Sequence, residues 1–114
     1  MTIEEFVIGY LLAALPGTAV SASIPHPMPE EFVTVELVGE SETDRIPTAR
    51  LVVLSWSTSR AASAELADRV KTAMAAAAAE PEISRCSLAA KYNDTDLETN
   101  RPRYNTTFEV VYLI

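Results

Sequence analysis

A single cysteine, a single histidine and only three glycines occur among the 114 residues, and each scarcity excludes a class of function. Cys86 alone forms no intramolecular disulfide framework and cannot by itself supply a zinc site, so nothing argues for an oxidising compartment. His26 alone leaves no second histidine for a metal site or a nucleophile–base set, and the few glycines leave no phosphate-cradling loop. No catalytic, cofactor-binding or metal-ligating residues are assigned, and no cofactor is expected. Positive charge is scarce as well: nine Lys and Arg face sixteen Asp and Glu, for a net charge of −7. That balance disfavours specific nucleic-acid binding, which rests largely on cations that neutralise phosphates. Long hydrophobic runs are also missing. Phe6 to Leu15 falls short of the ~20 apolar residues that a membrane span needs. It resembles a signal-peptide core followed by Ala19-Val20-Ser21-Ala22, yet no Lys or Arg precedes Arg45, against the positive start of a secretory signal.

Two local patterns imitate binding motifs. Asp94, Asp96, Glu98 and Asn100 alternate like calcium ligands, but Thr99 and Asn105 occupy the positions where an EF-hand loop needs glycine and a bidentate glutamate. A polar turn between two strands is the better reading. Asn93-Asp94-Thr95 and Asn105-Thr106-Thr107 match the glycosylation sequon, which carries little meaning without a secretory signal.

What is present organises the chain into a single domain over residues 1–114, a length at which folding buries roughly two thirds of the unfolded surface. Thr2 with Glu5 forms a capping-box signature for a first helix; Phe6, Val7, Tyr10, Leu11 and Ala14 form its apolar face, and Pro16-Gly17 ends it. Pro25, Pro27 and Pro29 then forbid regular structure and hold the chain extended. His26 and Met28 lie on this stiff joint, which reads as a surface or interface edge. Val33, Val35 and Leu37 alternate as a first strand, and Arg50 to Trp56 resumes as a second. The acidic stretch between them, Gly39 to Thr48, reads as a long hairpin loop. Ser57 to Ser59 offers caps for a second helix from Arg60 to Ala79, with Ala62, Leu66, Val70, Met74 and Ala77 on one stripe. A third strand follows Ile83, and a fourth spans Thr106 to Ile114. The expected fold class is α+β: a mainly antiparallel sheet of about four strands, order α-β-β-α-β-β, with two helices packed on one face. A short extra strand near Ala19 to Ser23 is left open.

Three anchors together resemble the small tail-terminator, or tail-completion, proteins of long-tailed bacteriophages and prophages. They are Pro25-His26-Pro27-Met28-Pro29-Glu30-Glu31-Phe32-Val33-Thr34-Val35-Glu36, Trp56-Ser57-Thr58-Ser59-Arg60-Ala61-Ala62-Ser63-Ala64-Glu65-Leu66-Ala67-Asp68, and Arg101-Pro102-Arg103-Tyr104. The resemblance implies a non-enzymatic virion subunit that forms a homo-oligomeric ring, commonly hexameric, caps the tail tube and provides the head-joining surface. Its implied partners are the tail tube protein and a head-side connector protein, and its implied location is the virion tail, after assembly in the host cytoplasm. Free subunits are compatible with a monomer where ring closure needs the tube as template. No membrane partner is expected.

An acidic channel lining keeps phosphates from adhering to a ring that DNA traverses. On that reading Glu40, Glu42 and Asp44, with Arg45 beside them, or alternatively Asp94, Asp96 and Glu98, face the channel. Arg101 and Arg103 would then pair with a neighbour's acidic patch, since a ring interface is heterologous. Two rival readings stay open. One is another head-tail connector, such as a neck or head-completion protein; the other is a small ligand-binding or enzymatic domain with His26, Tyr92 and Tyr104 around a pocket.

Overall fold

A computed structural model describes residues Met1–Ile114. Helix α1 (Ile3–Ala14) is capped by Thr2, whose hydroxyl accepts from the Glu5 amide, with Glu4 and Glu5 at the positive end of its dipole. It buries Ile3, Val7 and Leu11, spaced four residues apart, and Leu15 continues the line beyond its end. Phe6 and Tyr10 flank that line half-buried, and Ala14 stays exposed. Gly17 supplies the left-handed turn, at φ 85°, that sends the chain into the sheet.

The sheet has five strands in the order β1-β2-β3-β5-β4: β1 (Ala19–Ser21), β2 (Phe32–Thr43), β3 (Ile46–Trp56), β4 (Ile83–Asn93) and β5 (Arg103–Tyr112). It is mixed rather than purely antiparallel, because β1 pairs in parallel with Phe32–Thr34. This corrects the expected four strands. A three-residue strand is too short for periodicity to reveal, and its pairing is made only when β2 arrives from beyond the proline joint. The joint therefore acts as the crossover that parallel neighbours require, since no two-residue turn can connect them.

A second correction concerns the acidic loop. Strand β2 runs on to Thr43 and β3 restarts at Ile46, so only Asp44 and Arg45 make the turn. Both have positive φ, 51° and 65°, the geometry of a type I′ hairpin turn, whose twist matches the flanking strands. Residues with side chains pay for that conformation, which is why glycine usually marks such turns and why this one escapes notice in the sequence. The far half of the hairpin, Val38 to Ile46, is exposed throughout and forms an arm beyond the domain core.

Helix α2 (Arg60–Ala75) is capped by Ser59, which accepts from the Ala62 amide, and ends in a 3-10 turn at Ala76–Ala79 rather than continuing as α-helix. It buries Ser63, Leu66, Ala67, Val70 and Met74. Both helices share one sheet face, where Val33, Val35, Leu51, Val53, Phe108 and Val110 join Val7, Leu11, Leu66 and Val70 in one core of 17 buried residues. Tyr10 ties the helices together by donating to the Ala73 carbonyl at 2.6 Å.

Replacing Arg45 with glycine is expected to stabilise the protein by about 0.5–1 kcal/mol by relieving the left-handed backbone cost. The readout is an upward shift in the urea midpoint at constant slope. A downward shift would mean that the Arg45 side chain holds the turn.

Candidate functional site

The sheet face away from the helices carries a second, smaller core. Phe32 and Trp56 are cross-strand partners, fully buried, and stack with ring centroids 5.1 Å apart at an interplanar angle of 14°. The Trp56 indole donates to the Thr34 hydroxyl at 3.1 Å, satisfying its only polar atom in place. Arginines close over both rings: Arg101 lies 5.8 Å from the Phe32 centroid and Arg103 5.0 Å from that of Trp56, within cation–π range.

Arg101 does more than cover a ring. Its guanidinium donates to the Ser57 carbonyl at 3.0 Å and to the Pro29 and Glu30 carbonyls at 2.6 Å each. One side chain thus joins the proline joint, the β3–α2 junction and the entry to β5, and the Ser57 amide adds a bond to the Pro102 carbonyl. Arg103 donates to the Asp94 carbonyl at 2.6 Å and lies within 3.5 Å of the Asp94 carboxylate and 3.7 Å of that of Asp96. Both arginines thus have partners inside the chain.

The turn 94–102 is closed on itself as well. The Asp94 and Asp96 amides donate to the Arg103 and Arg101 carbonyls, extending the β4–β5 ladder, and Asn100 takes a left-handed φ of 58°. The Thr99 hydroxyl donates to Asp96 and, with the nearby Arg103 cation, holds that carboxyl below the usual range. Leu97 projects from the tip, 93% exposed. The side chains do not converge as metal ligands; no group of three His, Cys, Asp or Glu forms anywhere in the chain.

At the other end of the sheet, Glu40, Ser41 and Glu42 belong to the arm. Strand register sets the two acidic sets apart: Thr43 pairs with Ile46 at the arm's tip, whereas Asn93 pairs with Tyr104 beside the 94–102 turn. They occupy opposite ends of a molecule 43 Å long and 25 Å wide. Glu40 accepts from the buried Tyr112 hydroxyl, which anchors the arm's base to the last strand. Burial, and then the bond to Glu40, push the Tyr112 phenol up to about 12. The arm and the start of α1 border a cleft of about 640 Å³ with Leu37, Pro47 and Tyr112 among its lining residues. Glu42, Asp44 and Arg45 have no ion-pair partner.

His26 is exposed and Met28 half-buried on the joint, 22–31, whose first residues lie against Thr34, Leu54 and Trp56 around a shallow cavity of about 340 Å³. Tyr92 lies half-exposed on β4, the outermost strand on its side, separate from His26. Sequence reading gave no weight to the Phe32–Trp56 pair; its signal was the presence of aromatic residues just after the joint and just before α2. Cys86 is half-buried on β4, and burial pushes its thiol up to about 11.

These elements define an α+β unit with an open five-stranded sheet, helices on one face, and a projecting acidic arm. The fold is similar to that of a chain in the solved virion of a native gene transfer agent (GTA) particle, with a TM-score of 0.63 and 16% identity over 90% of this chain and 83% of that one. No protein-family model and no curated protein sequence matches the chain.

Two outcomes follow from this geometry. Arg101→Ala should cost about 2–3 kcal/mol, since charge-assisted bonds are lost and the joint's carbonyls are left without their donor. Arg101→Lys should recover little of it, because an ammonium cannot span three carbonyls in the guanidinium's planar geometry. Urea unfolding followed by the fluorescence of the sole tryptophan, Trp56, measures both; equal stability of Ala and wild type would refute the clamp. The second concerns alkali. Tyr112 favours its neutral form in the fold, so the stability this provides is complete below pH 10.0 and is lost as pH rises toward about 12. Tyr112→Phe should flatten that part of the stability–pH profile, and an unchanged slope would argue against it.

Proposed function

We propose that this chain is a structural subunit of a phage-like virion that assembles as a ring, hexameric in the particle, on the end of the tail tube and forms the surface that joins the head. The observation that carries the reading is the fold shared across 90% of the chain with a component of a gene transfer agent virion. The three sequence anchors, which resemble tail-terminator proteins, support the more specific tail-capping role. The structure gives those anchors a common physical basis: the first supplies Phe32 and the joint, the second Trp56 and Ser57, and the third Arg101 and Arg103, all meeting in one cluster.

The role is non-enzymatic. It needs a rigid subunit with distinct faces toward its neighbours, the tube and the head, and a channel surface that phosphates leave freely. The acidic arm and the acidic 94–100 turn lie at opposite ends of the sheet, so a single ring borders its channel with one of them. The joint carrying His26 and Met28 is held in place by Arg101 before any partner arrives, which lowers the ordering cost of a contact there.

The test mixes purified subunit with isolated tail tubes and with filled heads, imaged by negative stain alongside light scattering over a wide concentration range. Closed rings on tube ends are the expected result. Monomers alone, even with tubes present, would overturn the reading. Binding to filled heads but not to tubes would transfer the protein to another position in the head–tail connector.

A further inference from the structure

The sheet ends in two unpaired edges of opposite charge. On one side β1 covers only Phe32–Thr34, so the outer edge of β2 from Val35 to Thr43 has no strand partner; only the Leu37 amide is engaged, by the Glu4 carboxylate at 2.8 Å. On the other side β4 pairs with β5 alone, and from Ser84 onward all its residues are exposed or half-exposed. Strand β2 carries Glu36, Glu40 and Glu42 and no Lys or Arg; β4 carries Arg85 and Lys91 and no Asp or Glu.

The two edges also match in position and direction. Following the ladder across β5 and β3 places Lys91 level with Val35, and Arg85 level with Ser41. The free part of β2 and the cationic part of β4 therefore span the same height of the sheet. Because β2 and β4 run in opposite directions, a neighbour's β2 laid beside β4 in the same orientation forms an antiparallel pair. Exposed Val38 on one edge and Leu88 on the other, 49% and 38% exposed, supply apolar contact.

We infer that the β4 edge of one copy binds the acidic outer β2 edge of the next, so that the sheets join head to tail around the ring. The occupant is a second copy, because each edge finds its counter-charge on this same chain. Like edges repel: β4 against β4 sets cation on cation, and β2 against β2 sets carboxylate on carboxylate. A two-fold dimer through either edge is thereby disfavoured, whereas a heterologous contact, the kind that closes rings, is favoured. Strand bulges between Ile83 and Arg85 and between Leu88 and Ala90 break the edge that β4 offers, a device that limits pairing with unrelated strands. Arg85 has no hydrogen-bond or ion-pair partner within the subunit, whereas Lys91 is held by Asp68. Arg85 is thus the free cation that the contact uses.

This inference rests on the ring reading, and its test separates the two. Wild-type subunit is first shown to form rings on tail tubes; if it forms none, the ring reading itself fails. Arg85→Glu, and separately Glu36→Lys with Glu42→Lys, are then compared with wild type and with the triple variant that combines them. All three substituted positions are exposed, and urea midpoints verify that each variant folds. Each charge-reversed variant should need about ten-fold more subunit for half-assembly, roughly the effect of one unfavourable interfacial charge contact. The combined variant should return most of that loss, and wild-type assembly should weaken as salt rises. Rings that form equally well from every variant would overturn the inference while leaving the ring reading standing. So would failure of the combination to recover when each component folds.

Discussion

The guanidinium of Arg101 is the point on which the domain's irregular parts converge. A sheet and two helices can be assembled from local pattern and apolar burial, but the joint 22–31 and the junction at Ser57 have no ladder to hold them, and the turn 94–102 has only the last two bonds of the β4–β5 ladder. Arg101 bonds to carbonyls of the first two, and the third delivers it. Its planar fork suits that task, because several donors are fixed in one plane and little side-chain freedom is lost per bond made. The Phe32–Trp56 stack below supplies a dry, electron-rich surface against which the cation rests.

The consequence is a sheet covered in two different ways. On the helix face, branched aliphatic side chains from both helices and all five strands pack as an ordinary core. On the opposite face, cover is confined to one end, where the joint and the arginines shield the aromatics. Toward the other end the hairpin leaves the core and continues as a two-stranded arm, held by its own ladder and by Tyr112 against Glu40. A subunit built this way has a stiff end, a projecting end and two open edges.

Charge is distributed according to the same division. Asp94 and Asp96 are drawn toward Arg103, and Asp68 toward Lys91, so these acids are spent on internal ties. Lys91 holds Asp68 below its ordinary range, chiefly by direct hydrogen bonding. The arm's Glu42 and Asp44 keep their charge unpaired.

Sequence alone determined the parts governed by local periodicity and by composition. The caps at Thr2 and Ser59, the Leu66-Val70-Met74 stripe, the alternation in Val33 to Leu37 and in Phe108 to Tyr112, and the α+β class were all legible, because each depends on neighbours within a turn or a strand. The scarcity of histidine, cysteine and glycine was equally plain. Only the tertiary structure decided the rest. Asp44-Arg45 looked like part of a long loop, because nothing in those two side chains announces a tight turn and the ladder on either side imposes it. The strand at Ala19–Ser21 exists through its pairing with Phe32–Thr34, across an intervening joint. The contacts that Arg101 and Arg103 make within the chain were not legible, because most of their partners are carbonyls and rings whose closeness is set by the sheet, and backbone acceptors leave no trace in a sequence.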